Sequence, residues 1–320
     1  MQSRFIPAIA AAIGIAGASA AHAETWPSKP IRMVFPSAAG GGPERVIRAI
    51  TAGLGQRLGQ PVVVDYKPGA GGNIGAADIA RSVPDGYSWM LAPETILTIN
   101  PVVYKSTGFK AEDIVPVRFV GSLAQVLACN PSLGVKSVSE LVARAKTKDM
   151  TYASAGPGSA AHMTMEMFLD ATKIRMTHVP YRGVSPAVTD MLGGQVDCYF
   201  GVVSALSEYI KAERLVGLAV SSKKRVVSLP NVPTVQELGY KDFDATFYLG
   251  VFSPRGIPAD IQAKFAKALD ETVRTSEVVE AMAANSVTPE NLSAEAAQKE
   301  LRELSQRWAV VAKRINLKLD

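Results

Sequence analysis

The stretch "QPVVVDYKPGAGGNIGAADIARSVPDGYSWMLA", Gln60 to Ala92, carries the alternation that decides the fold. Its run "VVVDY" is rich in β-branched residues and predicts a strand. "GNIGAADIARSV" spaces its apolar residues as a helix does, and the Asp85-Gly86 turn then leads into a second strand, "YSWMLA". Strand, helix and strand within about thirty residues form a βαβ unit, whose strands lie parallel in an α/β sheet.

The pattern extends in both directions. Upstream, "PIRMVFPS" (30–37) reads as a strand and "ERVIRAITAGLGQRLG" (44–59) as an amphipathic helix. Downstream a second series opens with "SVSELVARAKTK" (137–148), a helix started by Ser137 and Glu140 in capping-box spacing. It continues with strands "MTYASA", "RMTHVP", "VDCYFG" and "VGLAVSS" alternating with helices "SAAHMTMEMFLDAT", "SPAVTDMLGG" and "ALSEYIKAERL". From Pro258 onward the sequence predicts helix almost throughout, ending in "NLSAEAAQKELRELSQRWAVVAKR". With 320 residues, 48% of them hydrophobic, the chain can bury two such α/β layers, and two domains are expected.

The first residues, "MQSRFIPAIAAAIGIAGASAAHA", have the form of a secretory signal with cleavage after Ala23. The apolar run is shorter than the roughly 20 residues of a spanning helix, so an exported, periplasmic chain starting at Glu24 is expected. Without Arg4, 33 basic residues face 29 acidic ones. That balance mildly favours anions, and with no basic-aromatic interleaving nucleic acid is not expected as a partner. Cys129 and Cys198 could pair in an oxidising compartment, but two buried thiols are the expected state for a chain with this much core.

In an open α/β sheet, ligands bind beyond the carboxyl ends of the strands. Four strand-to-helix loops there are rich in small residues: "SAAGGGPE" (37–44), "PGAGGNIG" (68–75), "SAGPGSAA" (154–161) and "RGVSPA" (182–187). Together they suggest a cleft walled by backbone amides and helix N-termini, which favours an anion. "PGAGGNIG" fits a tight turn as well as a ligand contact.

No lysine follows in the P-loop position, which argues against a phosphate loop. Gly156 to Ala161 match a dinucleotide fingerprint, but the next strand ends without the ribose-binding acid, so no cofactor is expected. His162 and His178 are the only histidines after the signal, too few for a metal centre, and His162 with Glu166 reads as a local contact. Gly183-Val184-Ser185-Pro186-Ala187 approximates a nucleophile elbow, yet it lacks the second glycine and Pro186 has no amide for an oxyanion hole. Ser185 is expected to cap a helix with Pro186 in its first position. An exported serine hydrolase pairing Ser185 with His178 or His162 stays as the alternative reading.

The segments "WPSKPIRMVFPSAAGGGPERVIRAI", "INPVVY", "TYASAGPGSAAHMTMEMF", "HVPYRGVSPAVTDMLGGQVDCYF" and "FYLGVFSPRGIP" resemble, in order and spacing, the Bug or TctC-type extracytoplasmic solute receptors of tripartite tricarboxylate transporters. The resemblance implies a type II periplasmic-binding fold, a Venus flytrap of two α/β lobes with a ligand cleft between them. Lobe one would hold residues 24–123 plus 246–320 and lobe two 124–245, with crossovers near "VGSLAQVLA" and "FDATFYLGVF". It also implies a non-enzymatic, monomeric receptor that hands a small organic carboxylate to membrane permease subunits; a signalling receptor would share the same fold and site.

Carried over residue by residue, the carboxylate clamp would comprise Ser37, Ala38, Ala39, Gly40, Gly41 and Gly42 on one lobe. On the other it would comprise Ser154, Gly156, Gly158, Ser159 and Ala160, with Tyr181, Gly183 and Ser185 on the next loop. Gly158→Asp should then abolish binding and spare the fold. Three places depart from the family pattern: Pro43-Glu44 stand for Thr-Asp, Gly201 for an Asp, and Pro93, Glu94, Thr95, Ile96 and Leu97 for small polar residues and a histidine. Glu94 and Thr95 thereby join the candidate site, and the departures favour a carboxylate with an apolar or aromatic body.

Overall fold

The computed structural model describes residues 26–37, 39 and 44–320. The signal segment lies outside the described residues, as do Ala38, Gly40, Gly41, Gly42 and Pro43. Every strand and helix predicted between Pro30 and Ser222 is present. The first series runs β1 (Ile31–Phe35), α1 (Glu44–Leu58), β2 (Val62–Tyr66), α2 (Asn73–Ala80) and β3 (Ser88–Pro93). Two single-turn helices, α3 (Thr95–Thr98) and α4 (Asn100–Val103), lead into β4 (Ile114–Leu123).

The second series comprises β5 (Gln125–Cys129), α5 (Val138–Ala145), β6 (Thr151–Ser154), α6 (Ala160–Thr172), β7 (Thr177–Pro180), α7 (Val184–Leu192), β8 (Cys198–Val202), α8 (Val203–Lys211) and β9 (Val216–Val220). The chain closes with β10 (Phe247–Pro254), α9 (Ala259–Thr272), α10 (Ser276–Ala284), β11 (Val287–Leu292) and α11 (Ala294–Arg314).

These strands form two sheets, in the orders β11-β4-β10-β3-β1-β2 and β7-β6-β8-β5-β9. The predicted units β2-β1-β3 and β7-β6-β8 are parallel, whereas β4, β10 and β11 add antiparallel to the first sheet and β5 pairs antiparallel with β8 and β9. Both sheets are therefore mixed rather than purely parallel. The strand β11 also interrupts the helical C-terminal segment. Its sequence "VTPENL" has no strand pattern of its own; it pairs because α10 returns it alongside β4.

In the first lobe, α1, α9 and α10 cover one sheet face around Phe35, Trp89 and Phe265. The other face carries α2, α3 and the start of α11, through Ala297 and Leu301. The far end of α11 belongs elsewhere: Leu304, Trp308, Val311 and Ala312 pack into the second-lobe core with Tyr152, Phe168 and Phe200. At 1.5 Å per residue this 21-residue helix is about 31 Å long, enough to span both lobes. Arg314 ties its end to α6 through Asp170 at 2.7 Å.

Two segments cross between the sheets, between Leu123 and Gln125 and between Val220 and Phe247. Ser221, fully buried, holds them together. Its hydroxyl accepts from the Gln125 amide at 2.9 Å and donates to the Ala245 carbonyl at 2.9 Å. Beside it Asp244 pairs with Arg307 of α11 at 3.3 Å and Lys223 at 3.2 Å.

Cys129 and Cys198 form a disulfide, which corrects the expectation of free thiols. They are 69 residues apart in sequence but directly opposite in the β5–β8 ladder, with Cα atoms 4.0 Å apart. The chain topology thus puts the two sulfurs within bonding reach inside an apolar core.

Candidate functional site

Two candidate loops of the second lobe lie side by side. The Tyr181 amide donates to the Ser154 carbonyl at 3.0 Å, joining the loop after β6 to the loop after β7. Gly156, at φ 124°, passes close to the Tyr181 carbonyl. The Tyr181 hydroxyl is already committed, donating to Asp190 at 2.8 Å; burial and this carboxylate push it up to about 12.

Inside the first loop, the amides expected to face a ligand are partly used. Gly156 N–H donates to Ser154 Oγ at 3.1 Å, and Gly158 N–H donates to His162 Nδ1 at 3.1 Å. Ser159 caps α6 by accepting from the His162 amide, while its carbonyl takes the Met163 amide. This leaves the amides of Ala160 and Ala161, the first two of α6, beyond the reach of any helical carbonyl. They stand at the positive end of a 13-residue helix, which favours an anion.

Below the loop lie two histidines that sequence reasoning did not assign to the site. The rings of His162 and His178 stack with centroids 4.0 Å apart and planes 8° apart, and Tyr152 lies over His178 at 4.9 Å. Ser154 Oγ lies 2.6 Å from His178 Nε2. Burial pushes both imidazoles down to about 4, with the neighbouring ring adding to the effect on His178. Register explains the meeting, since His178 is the direct partner of Tyr152 across β6 and β7. Only the strand pairing carries that signal. Glu166 does not bond His162; it accepts from the Tyr152 hydroxyl at 2.5 Å.

Gly158 sits differently from its expected role. It has φ 74°, and an added Cβ would lie 2.9 Å from Leu319 Cδ1 and 3.3 Å from Val103 Cγ2. The C-terminal tail is thus wedged between this loop and α4, where Leu319 exchanges backbone hydrogen bonds with Val103 and Lys105. Gly158→Asp would strain the backbone and displace the tail, so it is not a clean probe of binding. Gly158→Ala is expected to cost roughly 1–2 kcal/mol in urea unfolding from the left-handed backbone alone; an unchanged midpoint would contradict the left-handed conformation at this position.

Ser185 also departs from expectation. Helix α7 starts at Val184 and its cap is Gly183, at φ 111° with open space around it, so Ser185 and Pro186 already lie inside the first turn. Ser185 is exposed, and neither histidine bonds it; their nitrogens engage Ser154 and Gly158. The dyad of a serine hydrolase is not assembled.

In the first lobe, Ser37 and Ala39 are exposed beyond the end of β1. Glu44 opens α1 with its carboxylate taken by Arg48 at 2.5 Å and the Tyr66 hydroxyl at 3.1 Å. The loop "PGAGGNIG" is a packed turn: a Cβ on Gly72 would lie 2.5 Å from Ile96 Cδ1, and one on Gly75 2.9 Å from Pro36 Cβ. Thr95 opens α3 half-buried, but Glu94 is 0% exposed. Its Oε2 accepts the Tyr248 amide at 2.8 Å and its Oε1 is buried with no partner among the described residues. The Glu94 side chain is thus enclosed against β10 rather than exposed at the surface. Gly201 likewise faces inward, where a Cβ would meet the Tyr199 ring at 2.5 Å, so the position cannot present an acid to a ligand without displacing Tyr199.

The family pattern described as "Tripartite tricarboxylate transporter family receptor" matches residues 46–317. The chain belongs to the TctC receptor family. Protein BugT of Bordetella pertussis is 35% identical to it over 99% of both chains. The solved periplasmic binding protein BugD superposes with a TM-score of 0.76 at 31% identity, over 92% of this chain and all of that one. A structure of R. palustris Rpa4515 with adipate gives 0.78 at 28% identity over the same shares. The two-lobed solute-receptor fold of the TctC family is therefore that of this protein, and the family consists of binding proteins rather than enzymes. Among the described residues no cluster could hold a metal ion, and no helix is long and apolar enough to cross a membrane.

Proposed function

We propose that this TctC receptor captures a small organic carboxylate with an apolar body between its lobes and delivers it to the permease subunits of a tripartite tricarboxylate-type transporter. The observation that carries the carboxylate is the start of α6, where the Ala160 and Ala161 amides stand unclaimed above a loop whose Gly156, Gly158 and Ser159 amides are fixed from within. The adipate in Rpa4515, two carboxylates on a tetramethylene chain, supports the class. Ser37, Ala38, Ala39, Gly40, Gly41 and Gly42 would complete the clamp from lobe one, residues 24–123 plus 246–320, against lobe two, residues 124–245. Tyr181, Gly183 and Ser185 would flank it. A ligand held by both lobes favours the closed state by its differential affinity, and that closure is the signal a permease reads. The protein would act by binding alone, as a monomer in the periplasm after loss of residues 1–23.

Thermal shift and isothermal titration with adipate, benzoate, citrate and aspartate test this reading. Adipate or benzoate at about a hundredfold excess over its Kd should stabilise the protein by about 2.7 kcal/mol. Citrate and aspartate should bind weakly. Ser185→Asp puts a negative charge where the α7 dipole tolerates it but a carboxylate does not. It should weaken binding at least about tenfold with little change in melting temperature. If none of the acids binds, the proposal fails.

A further inference from the structure

We propose that His162 and His178 are positioning residues of the anion loop: stacked, uncharged imidazoles that hold the Gly156–Ser159 turn so that the first amides of α6 face the ligand. This rests on the carboxylate site proposed above. Two of the turn's amides have partners other than water: Gly158 N–H on His162 Nδ1, and Gly156 N–H on Ser154 Oγ, which itself touches His178 Nε2. Both glycines have positive φ, so the turn is not a conformation the chain adopts by default. Ser154 is fully buried and His162 is 6% exposed, so water competes poorly for these bonds.

The geometry demands the neutral ring. His162 Nδ1 accepts, so its proton sits on Nε2; a second proton on Nδ1 would turn the acceptor into a donor facing another N–H. It would also set a cation 4.0 Å from the neighbouring imidazole. Tyr152 of β6 and Glu166 of α6 are the titratable groups packed against the pair, with Arg314 of α11 behind Glu166. Glu166 cannot rescue a protonated histidine cheaply, because it already takes the Tyr152 hydroxyl and lies 3.9 Å from Arg314. Protonation of the pair therefore releases the turn, and the receptor loses its grip on a carboxylate.

The test is nuclear magnetic resonance on the ¹⁵N-labelled protein, with isothermal titration of adipate as probe. A scalar coupling across the hydrogen bond from the Gly158 amide to His162 Nδ1 is expected at pH 7, vanishing as the ring takes up its proton. His162→Leu removes the acceptor and should weaken adipate roughly 10- to 100-fold. His162→Asn, which returns an acceptor oxygen near the Nδ1 position, should recover most of that loss and flatten the acid limb of the affinity profile. No coupling in the wild-type protein at pH 7, or wild-type adipate affinity in His162→Leu, would overturn the assignment. Should the wild-type protein bind none of the acids tried above, the carboxylate reading falls, while the coupling and its pH dependence still decide whether the histidines position the turn.

Discussion

Replacing Cys129 and Cys198 together with alanine is expected to lower the unfolding free energy by about 4 kcal/mol, the entropy a cross-link removes from an unfolded chain by closing a loop of this length. The bridge spans 69 residues, and both cysteines are fully buried, so the native state offers them no other partner. The loss belongs to the second lobe, because β5 and β8 are its central pair. Urea unfolding with and without reductant measures it. The oxidised wild type should unfold at a clearly higher midpoint than the reduced protein or the double variant. Coincident curves would mean that the two thiols do not bridge in the folded protein.

That bridge also marks where sequence reading stops. Local spacing identified Cys198 as a strand residue, since "VDCYF" is an apolar run of strand length, whereas the segment before Cys129, "VGSLAQVLA", reads only as a crossover. It could not place them opposite each other, because β5 joins the second sheet after a crossover and its register is set by strands more than sixty residues away. The same division holds elsewhere. The βαβ units from Pro30 to Ser222 were legible because 3.6-residue and 2-residue periods are local. The strands β4, β10 and β11 were not, because their antiparallel pairing depends on where the two crossovers deliver them.

In the site, "SAGPGSAA" was legible as a turn at a helix start. Which amides it leaves free was not. That depends on His178, which reaches Ser154 only through the β6–β7 register, and on the tail residue Leu319, which closes over Gly158 from the far end of the chain. At Glu94 it was the burial that could not be read. Its position after β3 suggested a cleft wall, but β10 runs past the end of β3 and its Tyr248 amide draws the carboxyl inward.

The buried Glu94 sets the second large effect, a loss of stability on the alkaline side. Burial, with the nearby Glu300 adding to it, pushes this carboxyl up to about 8 from an ordinary 4.5, although the Tyr248 amide pulls the other way. A raised acid binds its proton more tightly folded than unfolded. Its contribution is complete below about pH 4.5 and is lost as pH rises through 8, in total on the order of 4–5 kcal/mol. His162 and His178 act in the opposite sense: held down to about 4 from 6.5, they stay neutral when folded, and their contribution is lost as pH falls from 6.5 through 4. Between pH 4.5 and 6.5 the unfolded chain carries both histidine protons and the folded one only that of Glu94, so stability rises with pH. Above 6.5 the balance reverses, and these three groups alone place the maximum near pH 6.5. Glu94→Gln keeps an oxygen for the Tyr248 amide and cannot ionise, so urea midpoints should no longer fall between pH 6.5 and 9, while the limb between pH 4.5 and 6.5 should steepen, because the folded Glu94 proton no longer offsets one of the two unfolded histidine protons. Parallel alkaline limbs in the two proteins would show that Glu94 is ionised in the fold, and therefore that its buried carboxyl has a partner.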